Sequence, residues 1–530
     1  MEDVSKEMET ERLDGVSNEM KTVRWGVFIP MFLLVSSTAI LGIFHSEDLI
    51  SLTKLFFNWS LQNFGWLYQI VAMVSLILVG TLLVSKFGQI RIGGKDAKPS
   101  MSFGRWFAMA LSSGIATGLI TYGANEPLIY FGNIYGELNK IGVEPNTHAT
   151  AIWALGRSFY NWSFIPYAMY TLSGLIAAYM YFNKKRGLSV SATLEPLLGK
   201  YAQNKIVADV IDVLATLAIV LGLASGLGTG LTVVATGLKI AYGIQITTTL
   251  CVALGVFTTF LFTFSSYLGL DKGFKVLASI KSKVLYFLLI LLFITGPTIY
   301  ILKSSTAGMA IWLDNFFLWG LDTGDIGGEA LTQWWTLFDW AMWIAYAPLM
   351  GLFLAMISYG RTIKEFIIIN WILPSCFALV WFAIWGGTAL FLQESGAVNL
   401  VQVIKDNGAV SGLWAFLQHL PFKLGVVIVP LILVLSLFAY AVAANRMTTT
   451  IAGMCTKNVP IGEEAPGYQR IIWGILIGSI AIIMSAFGGG EQGINGIKYL
   501  AACGGFCVLF IFMLQLVSIV KTFFYDKPVE

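Results

Sequence analysis

Charge is scarce in this chain. Only 12% of its 530 residues are Asp, Glu, Lys or Arg, about half the share usual in a soluble globular domain. A water-soluble fold is thereby excluded. The net charge of +3 is too small for a nucleic-acid partner, and the basic residues are confined to loops. Cysteine is also sparse. Cys251, Cys376, Cys455, Cys503 and Cys507 lie scattered in apolar stretches with no CxxC spacing, which excludes a disulfide framework and a thiolate metal site. They read as small packing residues, including the Cys503–Cys507 pair one helical turn apart. The three histidines, His45, His148 and His419, are far apart and near loops. No HExxH, GxSxG or carboxylate cluster occurs, so an integral-membrane enzyme has no machinery to run on. Neither a metal nor a cofactor is expected. The first 23 residues are acidic and precede the first apolar run, so no secretory signal peptide is read there.

What is abundant is apolar length. Hydrophobic residues make up 57% of the chain, in recurring runs long enough to cross a bilayer as helices. About twelve spans are predicted, giving an all-α integral membrane protein. Its parts are an acidic cytoplasmic tail (1–23), two leading helices (24–102), a five-helix set (103–303), an interfacial segment (304–333), a second five-helix set (334–521) and a short cytoplasmic tail (522–530). Basic clusters orient the bundle: Lys86 to Arg105, Lys184 to Lys205, and Arg361 with Lys364. The alternate loops carry Glu137, Glu144, Asp314, Asp322, Asp325 and Glu329. By the positive-inside rule both termini are cytoplasmic, in a membrane of the bacterial inner type.

Two spans carry helix-weakening residues. Span three contains Gly114, Ala116 and Gly118; span eight contains Pro348 and Gly351. Each opens one of the five-span sets, as expected of an inverted-repeat transporter whose site lies at broken helices near the midplane. Freed backbone there can face a substrate pathway. A third small-residue run, Ser225 to Gly230 in span five, reads as helix packing.

Span eight is also rich in aromatics. Trp340, Trp343, Tyr346 and Met350 recur at helical spacing and are predicted to share one face. Span four adds Trp162, Tyr167 and Tyr170 around Pro166. Such rings serve as core or interfacial belt, or together as a cage for a cation without protons to donate. Each well-placed ring contributes about 0.5–2 kcal/mol to holding such a cation. Among the intramembrane acids, Asp209, Asp212 and Asp339 are functional candidates by position. Asp339 could attract a cation or pair with a base, and Glu126 is expected to be a structural hydrogen-bonding group.

The string Trp335-Thr336, Phe338, Trp340-Ala341, Trp343-Ile344, followed by Gly360-Arg361-Thr362 and Glu365-Phe366, resembles the betaine/carnitine/choline transporter family. Gly123, Glu126-Pro127 and Ile211-Asp212 add to the likeness, which covers most of residues 24–521. The resemblance implies two inverted five-helix repeats after two leading helices, a homotrimer and a quaternary-ammonium substrate. It places the cage on Trp162 and Trp343, with Tyr167, Trp340, Met342, Tyr346 and Met350 as further substrate-binding positions. Three positions depart from the family pattern: Met342 where a second Trp is usual, Asp339 where Tyr is usual, and Ile129 where carnitine exchangers carry Tyr.

The resemblance also bears on coupling. Family members that use sodium offer Thr and Ser hydroxyls where this chain has Val442 and Ala443. Lys281 falls where the sodium-independent carnitine/γ-butyrobetaine exchanger sets a basic residue in the sodium site, and ion-site positions are closest to that protein. Read without the family, Lys281 belongs to a cytoplasmic basic cluster with Lys272, Lys275 and Lys283. Arg446 is expected to snorkel to the surface. The leading expectation is sodium-independent substrate exchange of betaine-like compounds. Sodium- or proton-coupled uptake is the alternative.

Overall fold

The computed structural model describes residues 22–114, 117–268, 271–457, 465–487 and 491–526, with some side chains inside helices, Lys281 among them, left outside that description. The described chain is a helical bundle. Its only strands among the described residues are two-residue pieces, Thr22–Val23 and Thr456–Lys457, paired antiparallel. All-helical construction is the expected answer in hydrocarbon, where each backbone N–H and C=O needs a partner within its own segment.

The principal helices are α1 (Trp25–Phe44), α2 (Ser46–Val84), α3 (Phe103–Gly114), α4 (Thr117–Gly132), α5 (His148–Trp162), α6 (Phe164–Ala178), α7 (Lys205–Tyr242), α8 (Thr248–Leu268), α9 (Asp271–Thr295), α10 (Thr298–Asp314), α11 (Phe338–Met356), α12 (Leu373–Glu394), α13 (Gly425–Met454), α14 (Gly467–Phe487) and α15 (Glu491–Val520). Among the described residues nine helices are long and apolar enough to cross a membrane, or ten if one bent pair counts as a span. The halves α3, α4, α5 and α6, of 12 to 16 residues, are each too short to cross alone.

Several boundaries differ from the sequence reading for local reasons. Helix α2 starts at Ser46, not near residue 64, and runs 39 residues without a proline. Glu47 and Asp48 in its first turn suit the positive end of the helix dipole. Span four divides after Trp162, where Ser163 leaves helical geometry (φ −109°, ψ −114°). Pro166 explains the division. It has no N–H to give the carbonyl of Trp162, and its ring crowds that carbonyl. Span seven ends at Thr295, and α10 leaves it at 106° after Gly296-Pro297. The near-perpendicular segment therefore begins at Thr298, six residues before the interfacial segment read from the sequence.

Span eight corrects one expectation. Pro348 and Gly351 lie inside the continuous helix α11. A Cβ on Gly351 would come within 2.7 Å of Ser173, so this glycine serves close packing of α11 on α6. The irregularity lies earlier: Glu329–Leu337 is π-helical and passes into the α-helix at Phe338. Inserted π turns widen a helix locally and often mark functional sites.

Arg24 fastens the start of α1 to the start of α7. Its guanidinium pairs with Asp209 and Asp212, each at 2.7 Å. Asp212 also accepts from the N–H and hydroxyl of Ser191, at 2.9 and 3.0 Å. These two acids, candidates for function by position alone, are structural ion-pair partners here.

Candidate functional site

A cavity of about 230 Å³ opens among α4, the end of α5, α6, α7, α11 with its π-helical lead, and α13. The lining from α11 is set by helical rotation. Asp339, Met342, Trp343, Tyr346 and Met350 all reach the cavity. At 100° per residue, Met342 and Trp343 bound this arc of roughly 100° and the others fall within it. Trp335 and Phe338 extend the wall from the start of the span.

Five residues expected at the substrate site meet here: Trp162, Met342, Trp343, Tyr346 and Met350. The other two do not line the cavity. Trp340 falls about 60° beyond Trp343 on the helix wheel. It is fully buried, packs on Tyr160, and its indole N–H donates to Gln69 Oε1 at 2.9 Å. The single face drawn through Trp340 and Trp343 is therefore two faces. Tyr167 stands behind Trp343, ring centroids 5.4 Å apart, and supports it. Of the expected pathway residues, Gly118 lines the cavity, where a Cβ would lie 3.0 Å from the Trp162 ring. Gly114 ends α3, and Ala116 lies outside the described residues.

The rings form a corner more than a parallel-walled slot. Trp162 and Trp343 meet edge to face, centroids 6.2 Å apart and planes at 78°. Tyr122 stacks on Trp162 at 5.7 Å, and Tyr170 packs on Trp343 at 4.7 Å. Two aromatic faces at nearly a right angle offer negative π surface from two directions, a geometry that attracts a cation lodged in the corner. Met342 supplies a polarizable thioether to the same wall, softer but less attractive to charge than a ring.

Behind the corner runs a buried polar chain. Glu126 accepts from the Trp162 indole at 2.5 Å, from Asn161 Nδ2 at 3.0 Å and from the Tyr130 hydroxyl at 3.1 Å. Thr336 donates to Asn161 Oδ1 at 3.2 Å and receives Arg157 Nη2 at 2.5 Å. Arg157 is fully buried and lies over the rings of Tyr160 and Trp319, centroid distances 5.5 and 5.0 Å. Glu126 is thus both the structural acceptor expected and a cavity wall. Its carboxylate fixes the orientation of Trp162, as a partner on an indole N–H must in a low-dielectric interior.

Sequence reasoning missed several lining residues. Ser225, Gly226 and Thr229, read as packing, face the cavity from α7. The glycines also pack: the Tyr346 ring lies against Gly222 with its hydroxyl beside Gly226, and that hydroxyl donates to the Gly222 carbonyl. Tyr122, one turn before Glu126, and the α13 set Tyr440, Ala443 and Met447 complete the wall. Their spacings, i,i+4 in α4 and i,i+3,i+7 in α13, were the legible signal. Ala443 lines the cavity whereas Val442 is buried beside it. Arg446 lies 5.8 Å from the Phe353 ring. No group of His, Cys, Asp and Glu suited to a metal occurs among the described residues.

In the loop between α4 and α5, Glu137 accepts from Trp335 Nε1 at 3.3 Å and from the Tyr135 N–H at 3.0 Å. Burial raises this carboxyl to about 7, despite those donors.

The chain is similar over residues 26–528 to the model of the betaine/carnitine/choline family of transporters. Among curated relatives, the ectoine/hydroxyectoine transporter of Virgibacillus pantothenticus is 30% identical, over 87% of this chain and 89% of that protein. The probable glycine betaine transporter of Desulfitobacterium hafniense is 30% identical, over 96% and 95%. Glycine betaine transporter 1 of Vibrio parahaemolyticus is 33% identical, over 81% and 80%. An all-helical membrane bundle, an aromatic cavity inside it and a family match along nearly the whole length agree: the chain belongs to the betaine/carnitine/choline family of transporters.

Proposed function

We propose that the chain moves a quaternary-ammonium compound, such as glycine betaine, carnitine or a relative, across the membrane by alternating access. The observation that carries this reading is the corner of Trp162 and Trp343, ringed by Tyr122, Tyr170 and Tyr346, at a cavity inside a transporter-family bundle. A cargo with no N–H to donate gains from π faces what it cannot gain from hydrogen bonds. The relatives named above are described as transporters of glycine betaine or of ectoine and hydroxyectoine.

The same reading takes α3–α4 and α5–α6 as one broken span each, giving twelve spans in two inverted five-helix repeats. Arg24, Asp209 and the strand after α13 lie together, beside the basic segment 184–205, which supports cytoplasmic termini. Family resemblance further implies a homotrimer. For coupling we favour sodium-independent exchange, on Val442 and Ala443 where sodium users carry hydroxyls, and on Lys281 as a fixed charge in place of the ion. Counterflow of labelled glycine betaine, carnitine and choline in proteoliposomes tests this, with and without sodium and a pH gradient. Counterflow without sodium is expected; a strict sodium or proton requirement would support coupled uptake instead.

A further inference from the structure

The polar chain behind the cage has a direction, and it is set from one end. Arg157 carries donors and no acceptor, so its Nη2 must donate to the Thr336 hydroxyl oxygen, at 2.5 Å. That hydroxyl has one proton of its own, which goes to Asn161 Oδ1 at 3.2 Å. The other end of the amide, Nδ2, is thereby turned toward Glu126 Oε1 at 3.0 Å. Glu126 Oε2 is left for the Trp162 indole N–H, which can only donate, at 2.5 Å. Arg157, Thr336, Asn161 and Glu126 are all fully buried, so bulk water completes no missing link.

Arg157, Asn161 and Trp162 lie on α5, and Glu126 lies on α4. Thr336 alone comes from elsewhere, the π-helical lead of α11 at Glu329–Leu337. Its neighbours seat the same lead. Trp335 lines the cavity, meets the rings of Tyr130 and Tyr122 edge to face at 5.1 and 6.4 Å, and donates to Glu137. Leu337 packs on α2, where a Cβ on Gly65 would come within 2.8 Å of its Cδ1. Trp343, the other face of the cage, follows in α11. One span therefore carries one caging ring and, through Thr336, reaches across to fix the other.

We infer that Thr336 is a positioning residue for cargo binding: docking the lead of α11 on α5 sets the Trp162 ring, so the two-faced cage is complete only while the lead is seated. The inference rests on the cavity being the cargo site of a quaternary-ammonium transporter. It adds the residue that couples this site to the arrangement of the helices around it. Linkage requires the converse, that an occupied cage favours the seated lead.

Equilibrium binding of labelled glycine betaine, carnitine and choline to the purified full-length chain tests this, with the tightest of the three as the probe. Thr336→Val keeps the shape and removes the hydroxyl. It should weaken the probe about three- to tenfold, a part of what one caging ring supplies. Thr336→Ser keeps the hydroxyl and should bind like the wild type. A double-mutant cycle isolates the path. In a Trp162→Phe background the ring has no N–H to hold, so Thr336→Val should cost no further affinity. An undiminished loss there, or full affinity in Thr336→Val alone, overturns the inference. A Thr336→Cys chain gives a second reading that does not depend on the valine variant folding. Saturating probe should slow alkylation of its thiol by N-ethylmaleimide about threefold or more, read on the peptide carrying that position, as the reciprocal of the affinity effect. Equal rates with and without probe overturn the inference and leave the quaternary-ammonium reading standing. Binding of none of the three compounds, by a wild-type chain that keeps its helical spectrum, overturns the cargo reading itself and this inference with it.

Discussion

The indole N–H of Trp162, the last residue of α5, donates to Glu126 Oε2 in the middle of α4 at 2.5 Å. The contact ties a cavity ring to a buried acid 36 residues away, just before the helix break that Pro166 imposes. Trp162→Phe keeps a ring of similar position and removes the donor. It should lower stability by about 1.5–3 kcal/mol, the range for a hydrogen bond to a charged group. Substrate affinity should fall as well, because the ring loses its fixed orientation. Thermal unfolding beside a binding titration checks both; unchanged affinity would show the ring to be held by packing alone.

Trp340 and Trp343 are three residues apart and should behave oppositely. Trp343→Leu removes a cavity face and should weaken quaternary-ammonium binding roughly 2- to 30-fold, the equivalent of about 0.5–2 kcal/mol, with a smaller effect on melting. Trp340→Phe removes the bond to Gln69 and some buried volume. It should destabilise by about 2–3 kcal/mol with affinity intact. Equal binding losses in the two variants would contradict the rotation described for α11.

Gly222 gives the Tyr346 ring its seat: a Cβ there would lie 3.2 Å from the ring. Gly222→Leu should displace the ring, break its bond to the Gly222 carbonyl and cost about 1–3 kcal/mol, as overpacking does. Transport in proteoliposomes should fall with it. A fully active, equally stable variant would mean that Tyr346 has room to move.

Glu137 predicts a pH dependence. Its carboxyl is raised from the ordinary 4.5 to about 7 by burial, so the folded state holds a proton that the unfolded state releases. Its contribution to stability is fully present below about 4.5 and is lost as pH rises to about 7. Glu137→Gln retains the shape without the titration. The melting temperature of the wild type should decline relative to this variant between pH 4.5 and 7. Parallel profiles would place Glu137 in contact with water.

Arg24 bridges Asp209 and Asp212, and the Asp212 side chain is fully buried. Arg24→Met should destabilise by about 2–3 kcal/mol, below the 3–5 kcal/mol of fully buried pairs because Arg24 retains some water contact. Adding Asp212→Asn should recover part of the loss, since the buried charge is then gone. Failure of that double variant to recover anything would mean Arg24 acts through packing.

The sequence by itself determined the class of molecule. Apolar run length, loop charge and the aromatics of span eight are local properties that survive whatever the chain does elsewhere. They established a helical membrane protein and, with the family resemblance, singled out Trp162, Met342, Trp343, Tyr346 and Met350, which the structure brings to one cavity. Only tertiary structure decided which way each helix turns about its axis, because neighbours set that rotation. It sent Trp340 to Gln69 and Trp343 to the cavity, though the two look equivalent on a hydrophobic wheel. It also moved the break in span eight from Pro348 to the π-helical lead. It joined Glu126 to Trp162 and Arg157 to Thr336, pairings between separate helices that no local pattern encodes. And it set Asp339 in the same cavity wall as Trp343.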